Sequence, residues 1–187
     1  MTRIPILEPK KMSAKQKSVY DNIIKGNGRV GFGPAIGYAY SAETWRLHNE
    51  TSTHLLKCSL SAIQVRIISL LTVRHWKAAY PWSAQAKTAL NAGMKPDILE
   101  ALNTGKTPDF ERKADKVVYS TTDELLSTGT LSQEVFETAV ETLGYTCLVE
   151  LVSAIGHFCT TAMMANVVGA QPSADAISTL SGQPNDR

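Results

Sequence analysis

The segment from residue 145 to residue 168, YTCLVELVSAIGHFCTTAMMANVV, constrains the fold of this chain more than any other feature. Its only formally charged residue is Glu150, so a helix formed by this segment would be apolar on nearly every side. Such a helix is usually buried, either at the centre of a domain or at a contact between subunits. We therefore expect a central or interface helix over 145–168, and self-association of the chain into a homo-oligomer.

The rest of the chain also has helical patterns, and no stretch alternates with the period of two that is typical of a strand. Ser13 and Gln16 have the spacing of a capping box at the start of a first helix, which Gly26 ends. The segment 61–77 is apolar enough for a pair of buried strands, but its length favours a helix. Further helices are predicted at 35–58 (with a break), 81–91, 95–105, 109–128 and 132–143. The sequence therefore predicts an all-α fold.

Length and composition indicate one domain and a tail. The 187 residues suit a single domain with a substantial core, which we assign to residues 1–168. From Gly169 onward the chain is rich in Ser, Gly, Pro, Gln and Asp. Residues 169–187 are therefore predicted to be disordered.

Charge and hydropathy argue against several classes of partner. A net charge of +2 is too small to indicate binding to nucleic acid or to an anionic membrane. No uninterrupted apolar run reaches the roughly 18 residues of a membrane span, and the start, MTRIPILEPKKMSAK, lacks the apolar core of a signal peptide. Three widely spaced cysteines are predicted to be free thiols in a reducing compartment: Cys58, Cys147 and Cys159. We expect a cytoplasmic protein without nucleic-acid or membrane partners.

Motifs for cofactors and metals are missing or stand in the wrong context. Gly26, Gly28 and Gly31 match G-x-G-x-x-G, but a predicted helix precedes them where a dinucleotide site needs a strand. This pattern therefore indicates a flexible loop. No two histidines and a carboxylate have the spacing of metal ligands. Neither a metal nor a cofactor is expected.

Several short motifs, in order along the chain, carry a resemblance to a known family. They are RHW at 74–76, YPW at 80–82, ALNAGM at 89–94 and ILEAL at 98–102, together with the opening RIP, VYDNI in the first helix and VELVSAIGHFCTTAMMANV near the end. This sequence resembles the carboxymuconolactone decarboxylase and alkylhydroperoxidase-D-like family over most of its length. The resemblance implies an all-α bundle of packed helical hairpins that assembles into dimers, trimers or hexamers around interface pockets.

The residues that carry redox chemistry in that family are replaced here. Its redox members have a glutamate, a C-x-x-C pair and a histidine, which by spacing fall on Arg66, Ala78, Pro81 and Gln85 of this chain. Many non-redox relatives read YEW followed by a histidine, and here Pro81 and Gln85 take those places. The resemblance therefore implies a member that is not a thiol peroxidase and that lacks the usual acid and base.

Arg66 is the main candidate for an electrostatic role, because it lies in an otherwise apolar segment and a buried arginine needs a partner. One interpretation is an internal ion pair with a carboxylate such as Glu150. The other is a clamp for a carboxylate or an enolate of the substrate.

His157 and His75 are the candidate proton carriers, because an unperturbed histidine titrates near neutral pH. His157 lies on the apolar helix, where a satisfied core histidine is the alternative, and His75 lies on the face of its helix opposite Arg66. His48 and His54 are predicted to be solvated on a more polar helix.

Tyr80 and Trp82 flank Pro81, which suits the first turn of a helix because its missing N–H has no intrahelical partner there. These two aromatic residues either pack at a helix junction or line a pocket for a flat, apolar ligand. In the second case Gln85, further along the same helix, is a neutral hydrogen-bonding residue of the pocket. From the RHW motif, Arg74 and Trp76 are assigned to the same substrate site.

These features lead to a functional hypothesis with two alternatives. The first is a cofactor-independent decarboxylase, isomerase or cyclase that acts on a small, largely apolar oxygenated molecule such as a lactone, enone or aromatic acid. Arg66 would stabilise negative charge, with His157 or His75 as the proton carrier. The alternatives are a noncatalytic binding or assembly module, and a thiol-dependent redox protein that uses Cys159.

Overall fold

The computed structural model describes residues 2–26 and 28–182, which contain helices and no strand. A short 3₁₀ helix, Pro9–Lys11, precedes the α-helices. The α-helices are α1 Ala14–Lys25, α2 Ala35–Tyr38, α3 Ala42–Leu55, α4 Ala62–His75, α5 Ala79–Asn91, α6 Pro96–Thr104, α7 Lys113–Thr128 and α8 Gln133–Val168. The predicted all-α fold is confirmed, including the break between 35 and 58.

Local sequence signals set most helix boundaries. α1 begins with the predicted capping box, in which the Ser13 side chain accepts a hydrogen bond from the Gln16 backbone N–H. α4 begins with the same arrangement between Ser61 and Gln64. Three helices end at a glycine with positive φ, a conformation that costs glycine little: Gly105, Gly129 and Gly169.

α4 lies at the centre of the core and packs against α5, α7 and α8. Complete burial of an aliphatic side chain contributes about 1.5–3 kcal/mol, so the packing around α4 is a main source of stability. Four of its aliphatic side chains have no exposed surface: Ile67, Ile68, Leu70 and Val73.

The long helix α8 consists of two segments that meet at Gly144. The backbone of this glycine is not helical, with φ 78° and ψ 164°. A residue with a Cβ would be strained at that φ, so glycine is needed here. The boundary between the predicted helices 132–143 and 145–168 is therefore confirmed at this residue.

The second segment of α8 has two different faces. One face packs against α4 and α7 in the core. The opposite face exposes apolar side chains at helical spacing: Tyr145, Val149, Val152, Met163 and Val167. By length and composition α8 could cross a membrane, although Glu150 and His157 interrupt its apolar run. Its buried face is that of a core helix, and the absence of a membrane partner stays a prediction.

We expect the exposed apolar face of α8 to mediate self-association, because monomeric proteins rarely expose a large contiguous apolar patch. Sedimentation at micromolar concentration should show a dimer or a larger species. Val152→Glu places a charge within this face and should shift the protein toward the monomer. Leu47→Glu, at an exposed apolar position on α3, is the matched control and should leave the association unchanged. A wild-type monomer of 20.3 kDa would contradict the prediction.

The tail that was predicted to be disordered is partly packed on the domain. Ser178 Oγ accepts a hydrogen bond from Trp82 Nε1 at 3.0 Å, and Leu180 is buried in the main core. The side-chain N–H of Asn103 donates to the Thr179 carbonyl at 3.1 Å. Its side-chain oxygen accepts the backbone N–H of Ser181 at 2.9 Å. These contacts correct the prediction for 178–181, while residues 183–187 lie outside the described part of the chain.

Candidate functional site

A pocket of about 360 Å³ is lined by helices α1 to α5 and α8, together with the loop that joins α1 to α2. This volume lies within the range of about 300–1,000 Å³ that is usual for small-molecule sites. Much of the wall is apolar or aromatic: Ile23, Trp45, Leu55, Val65, Tyr80 and Phe158. The pocket therefore suits a compact ligand with a largely apolar body.

Arg66 and Gln85 form a polar centre in this wall. Arg66 Nη1 donates a hydrogen bond to Gln85 Oε1 at 2.5 Å, which joins α4 to α5. The guanidinium is largely withdrawn from solvent, and this burial lowers its pKa. An arginine nevertheless stays charged at neutral pH in a protein. The pocket thus contains a fixed positive charge oriented by a neutral amide.

No carboxylate pairs with Arg66 among the residues that the structure describes. Glu150, the partner considered from the sequence, instead accepts the Ser59 backbone N–H at 2.8 Å and lies 3.5 Å from His54 Nε2. The ion-pair interpretation is therefore corrected. The remaining N–H groups of Arg66 are available to an anionic ligand.

Three stacked rings line the pocket together with Arg66. The Tyr38 ring stacks on the His48 ring with centroids 4.1 Å apart and 28° between the planes. His48 in turn stacks on His157 at 4.3 Å and 17°. The rings come from α2, α3 and α8, so only the tertiary structure brings them together. The prediction that His48 is solvated is wrong, because His48 lies on the face of α3 that is turned toward the pocket.

The environment of this stack keeps both histidines neutral at physiological pH. Burial lowers the pKa of His48 to about 4. Burial, together with the repulsion that would arise if His48 were also protonated, lowers the pKa of His157 to about 3. A neutral imidazole has one N–H donor and one nitrogen acceptor, so each ring can exchange a proton with a ligand.

The Tyr38 hydroxyl is also buried, and burial raises its pKa to about 12. It lies close to the Thr161 hydroxyl, but its oxygen has no hydrogen bond of ordinary geometry within the described residues. A buried polar atom without a partner costs stability, so this hydroxyl is a candidate contact for a ligand.

The two faces of α5 separate the predicted pocket aromatics. Tyr80, Pro81 and Gln85 lie on the face that lines the pocket. Trp82 points away from it and is fully buried in the main core. Because successive helix residues are about 100° apart, residues 80 and 82 cannot share one face. The structure therefore places Trp82 in the core, whereas Tyr80 and Gln85 line the pocket as predicted.

The loop after α1 forms the rim of the pocket. Its residues Arg29 and Phe32 are exposed at the pocket, as is Leu56 after α3. Gly33 has a φ of 52°, and a Cβ at this position would come within 2.1 Å of the Tyr80 ring. A glycine is required there because the loop backbone packs directly on that ring.

The residues of the RHW motif do not reach the pocket. They lie at the C-terminal end of α4, where residue 74 is about 12 Å along the helix from Arg66. Arg74 Nε donates to the Asn103 carbonyl at 3.2 Å. Trp76 Nε1 donates to Cys159 Sγ at 3.2 Å, and His75 is exposed beside Trp76. Their predicted roles in substrate binding and catalysis therefore have no geometric support.

The described part of the chain places neither a cluster of metal ligands nor a thiol at the pocket. The described residues contain no group of three or more His, Cys, Asp or Glu side chains placed to hold a metal ion. All three cysteines are free thiols, and none of them lines the pocket. The pocket thus has no thiol for peroxide chemistry among its described lining residues.

Sequence reasoning missed Tyr38, His48 and the rim residue Arg29. A signal for the α3 residues does exist, because Trp45, His48 and Ser52 have spacings of three and four, those of one helix face. That face mixes polar and apolar side chains, so its pattern looks like a solvated surface. Tyr38 belongs to a helix of four residues, too short to show a periodic pattern.

Comparisons with known proteins establish the fold and nothing finer. No family model matches the chain, and no curated protein sequence matches it. A solved structure of similar fold is the alkylhydroperoxidase AhpD core, an uncharacterized peroxidase-related protein from Ralstonia eutropha JMP134. The likeness covers 93% of each chain with a TM-score of 0.74 and 14% sequence identity. Membership of the carboxymuconolactone decarboxylase branch stays a prediction. By its helices and their arrangement, this chain has the AhpD-like fold.

Proposed function

We propose that this protein is a cofactor-independent lyase or isomerase that acts on a small, oxygenated and largely apolar molecule such as a lactone, an enone or an aromatic acid. The observation that carries the proposal is the composition of one pocket. The guanidinium of Arg66, which has no carboxylate partner in the described part of the chain, shares this pocket with two neutral histidines, His48 and His157. A guanidinium can stabilise the negative charge of an enolate, and a neutral imidazole can accept a proton.

The chemistry can be written without an added oxidant or reductant. In an isomerisation, a neutral imidazole such as that of His157 takes a proton from the carbon next to a carbonyl. The electron pair of the broken C–H bond moves to the carbonyl oxygen, where Arg66 stabilises the enolate. In an enone the enolate is conjugated with the C=C bond, so the imidazolium can return the proton to the far (γ) carbon of this dienolate, which moves the double bond. In a decarboxylation of an acid whose carboxylate lies beta to a carbonyl, the C–C bond to the carboxylate breaks, CO₂ leaves, and the electron pair moves to the carbonyl oxygen beside Arg66. The enolate carbon then takes a proton that one of the two histidines has first taken up from solvent.

A noncatalytic binding module would use the same pocket, and turnover separates the two functions. A panel of lactones, enones and aromatic acids can be incubated with the protein in D₂O and followed by NMR for conversion or for exchange of carbon-bound hydrogen. We expect at least one compound to react, with the rate reduced by His157→Gln. His75→Gln changes an exposed histidine outside the pocket and is the control. Binding of several compounds without any exchange or conversion would instead support the binding module.

We expect Arg66→Met to weaken the binding of carboxylate ligands by about tenfold to a hundredfold, because it removes a charge-assisted hydrogen bond. The change should cost little stability, since methionine keeps much of the apolar stem and no buried carboxylate loses a partner. The measurements are a titration with benzoate and a thermal melt of the same variant.

Arg74→Met is the matched control, because this arginine lies on the same helix but outside the pocket. Its carboxylate affinity should equal that of the wild type. If the melting temperature of Arg66→Met were far below that of the wild type while its folded fraction bound benzoate normally, Arg66 would be a structural residue. The histidines would then be the remaining candidates for the ligand site.

A further inference from the structure

The two stacked histidines form a unit that differs from two separate bases. Their ring centroids are 4.3 Å apart with 17° between the planes, and the Tyr38 ring covers the other side of His48. No hydrogen bond to a described side chain orients or satisfies the nitrogens of either ring. Two positive charges at this separation strongly disfavour each other, so one proton on the pair opposes a second.

The charges around the pair are all positive or neutral. The ionisable groups that line the pocket come from the loop after α1 and from α2, α3, α4, α5 and α8, and they are Arg29, Tyr38, His48, Arg66, Tyr80 and His157. α1 contributes only the apolar Ile23. Within the described ranges, no aspartate or glutamate lines the pocket.

The nearby acids on the same helices are engaged elsewhere. On α3, Glu43 and Glu50 both pair with Arg46. On α8, Glu150 accepts the Ser59 backbone N–H. The described residues therefore offer the pair no counter-charge within the pocket, where the other fixed charge besides Arg29 is the guanidinium of Arg66.

A ligand anion would supply this missing charge. An opposite charge within about 4–6 Å favours the protonated form of a histidine. A carboxylate held by Arg66 in the same pocket would therefore draw a proton from solvent onto the stacked pair, while the repulsion between the rings would limit the uptake to one.

We infer that the pocket is an anion site whose occupancy is coupled to the uptake of one proton, and no more than one, by the stacked pair His48–His157. The class of ligand is a carboxylate with an apolar body. The inference rests on the ligand-binding part of the proposed function and not on turnover. It also means that a substrate anion prepares its own general acid on binding.

The test is isothermal titration calorimetry with benzoate and phenylacetate, in buffers of different ionisation enthalpy. The dependence of the observed heat on the buffer gives the number of protons taken up per ligand. We expect this number to approach one at about pH 5.5 and to fall toward zero at about pH 8. Benzamide, a neutral probe of similar shape, should bind without proton uptake.

Variants assign the proton to the pair. His48→Phe and His157→Phe should each still take up at most one proton with benzoate, whereas the double variant should take up none. The double variant His54→Phe/His75→Phe removes two surface histidines and is the matched control with wild-type uptake. If the pocket variants unfold, NMR of the wild-type imidazole signals should show one histidine equivalent becoming protonated as benzoate is added.

Four results would overturn the inference: no binding of either carboxylate, binding without proton uptake, uptake of clearly more than one proton, or unchanged uptake in the pocket double variant. The outcome is also distinct from that of the proposed function. Proton uptake without turnover of any compound would contradict the proposed enzymatic function and support this inference. Turnover without proton uptake would support the enzymatic function and contradict this inference.

Discussion

Lowering the pH from about 7 to about 4.5 should remove about 4 kcal/mol of folding stability through His48 and His157 alone. In the folded protein their pKa values are lowered to about 4 and about 3. In the unfolded chain both return to the ordinary value near 6.5. Between these values the unfolded state binds more protons, so stability is complete above about pH 6.5 and is lost as the pH falls toward the folded pKa values. Each histidine then contributes about 2 kcal/mol to the loss.

Urea denaturation at a series of pH values measures this effect. His48→Phe/His157→Phe keeps two stacked rings without a titrating group, so its stability should fall less between about pH 6.5 and 4.5. Carboxylates with lowered pKa values, such as Glu8 and Glu43, contribute equally in both proteins and cancel in the comparison. His54→Phe/His75→Phe serves as the control and should follow the wild type. Equal pH dependence of the pocket variant and the wild type would contradict the burial of the pair.

Trp82→Ala should destabilise the protein by about 3–5 kcal/mol, the range for removing a buried tryptophan. The Trp82 side chain has no exposed surface and lies in the main core with residues of α4. Its removal leaves a cavity and also frees Ser178, whose hydroxyl accepts the Trp82 N–H. Chemical denaturation of the variant measures the loss.

The companion variant Trp82→Phe keeps most of the apolar volume and should cost less. Benzoate affinity of the folded Trp82→Ala protein is the second readout. It should stay close to that of the wild type, because Trp82 does not line the pocket. A loss of affinity without a loss of stability would contradict the core position of Trp82 and favour the alternative that it lines the ligand pocket.

The helices were predictable because the signals that start and stop them are local. The capping box at Ser13 and Gln16 depends on residues three apart, and the break at Gly144 depends on one residue with positive φ. The apolar character of 145–168 likewise predicts a helix that lies in the core or at a subunit contact, without knowledge of its neighbours. The tail was mispredicted because its anchor is distant in sequence, since Ser178 bonds to Trp82.

The candidate site was only partly predictable. Arg66 is conspicuous as a charge in an apolar helix, and Gln85 lies on the same face of α5 as Tyr80. Their place beside His157 agrees with the prediction of a common pocket, although their roles remain untested. The sequence left Tyr80 and Trp82 the same two alternatives, and the structure divides them, because residues two apart on a helix point in different directions.

The sequence by itself determined that the chain is helical and approximately where its helices lie, because helix formation and amphipathicity depend on residues a few positions apart. Only the tertiary structure decided the chemistry of the pocket. It stacks Tyr38, His48 and His157, which come from three helices. It also places Glu150, the carboxylate that the sequence suggested as a partner of Arg66, against the Ser59 backbone instead. Protonation and charge pairing depend on what lies within a few ångströms in space, and distance along the chain does not specify that.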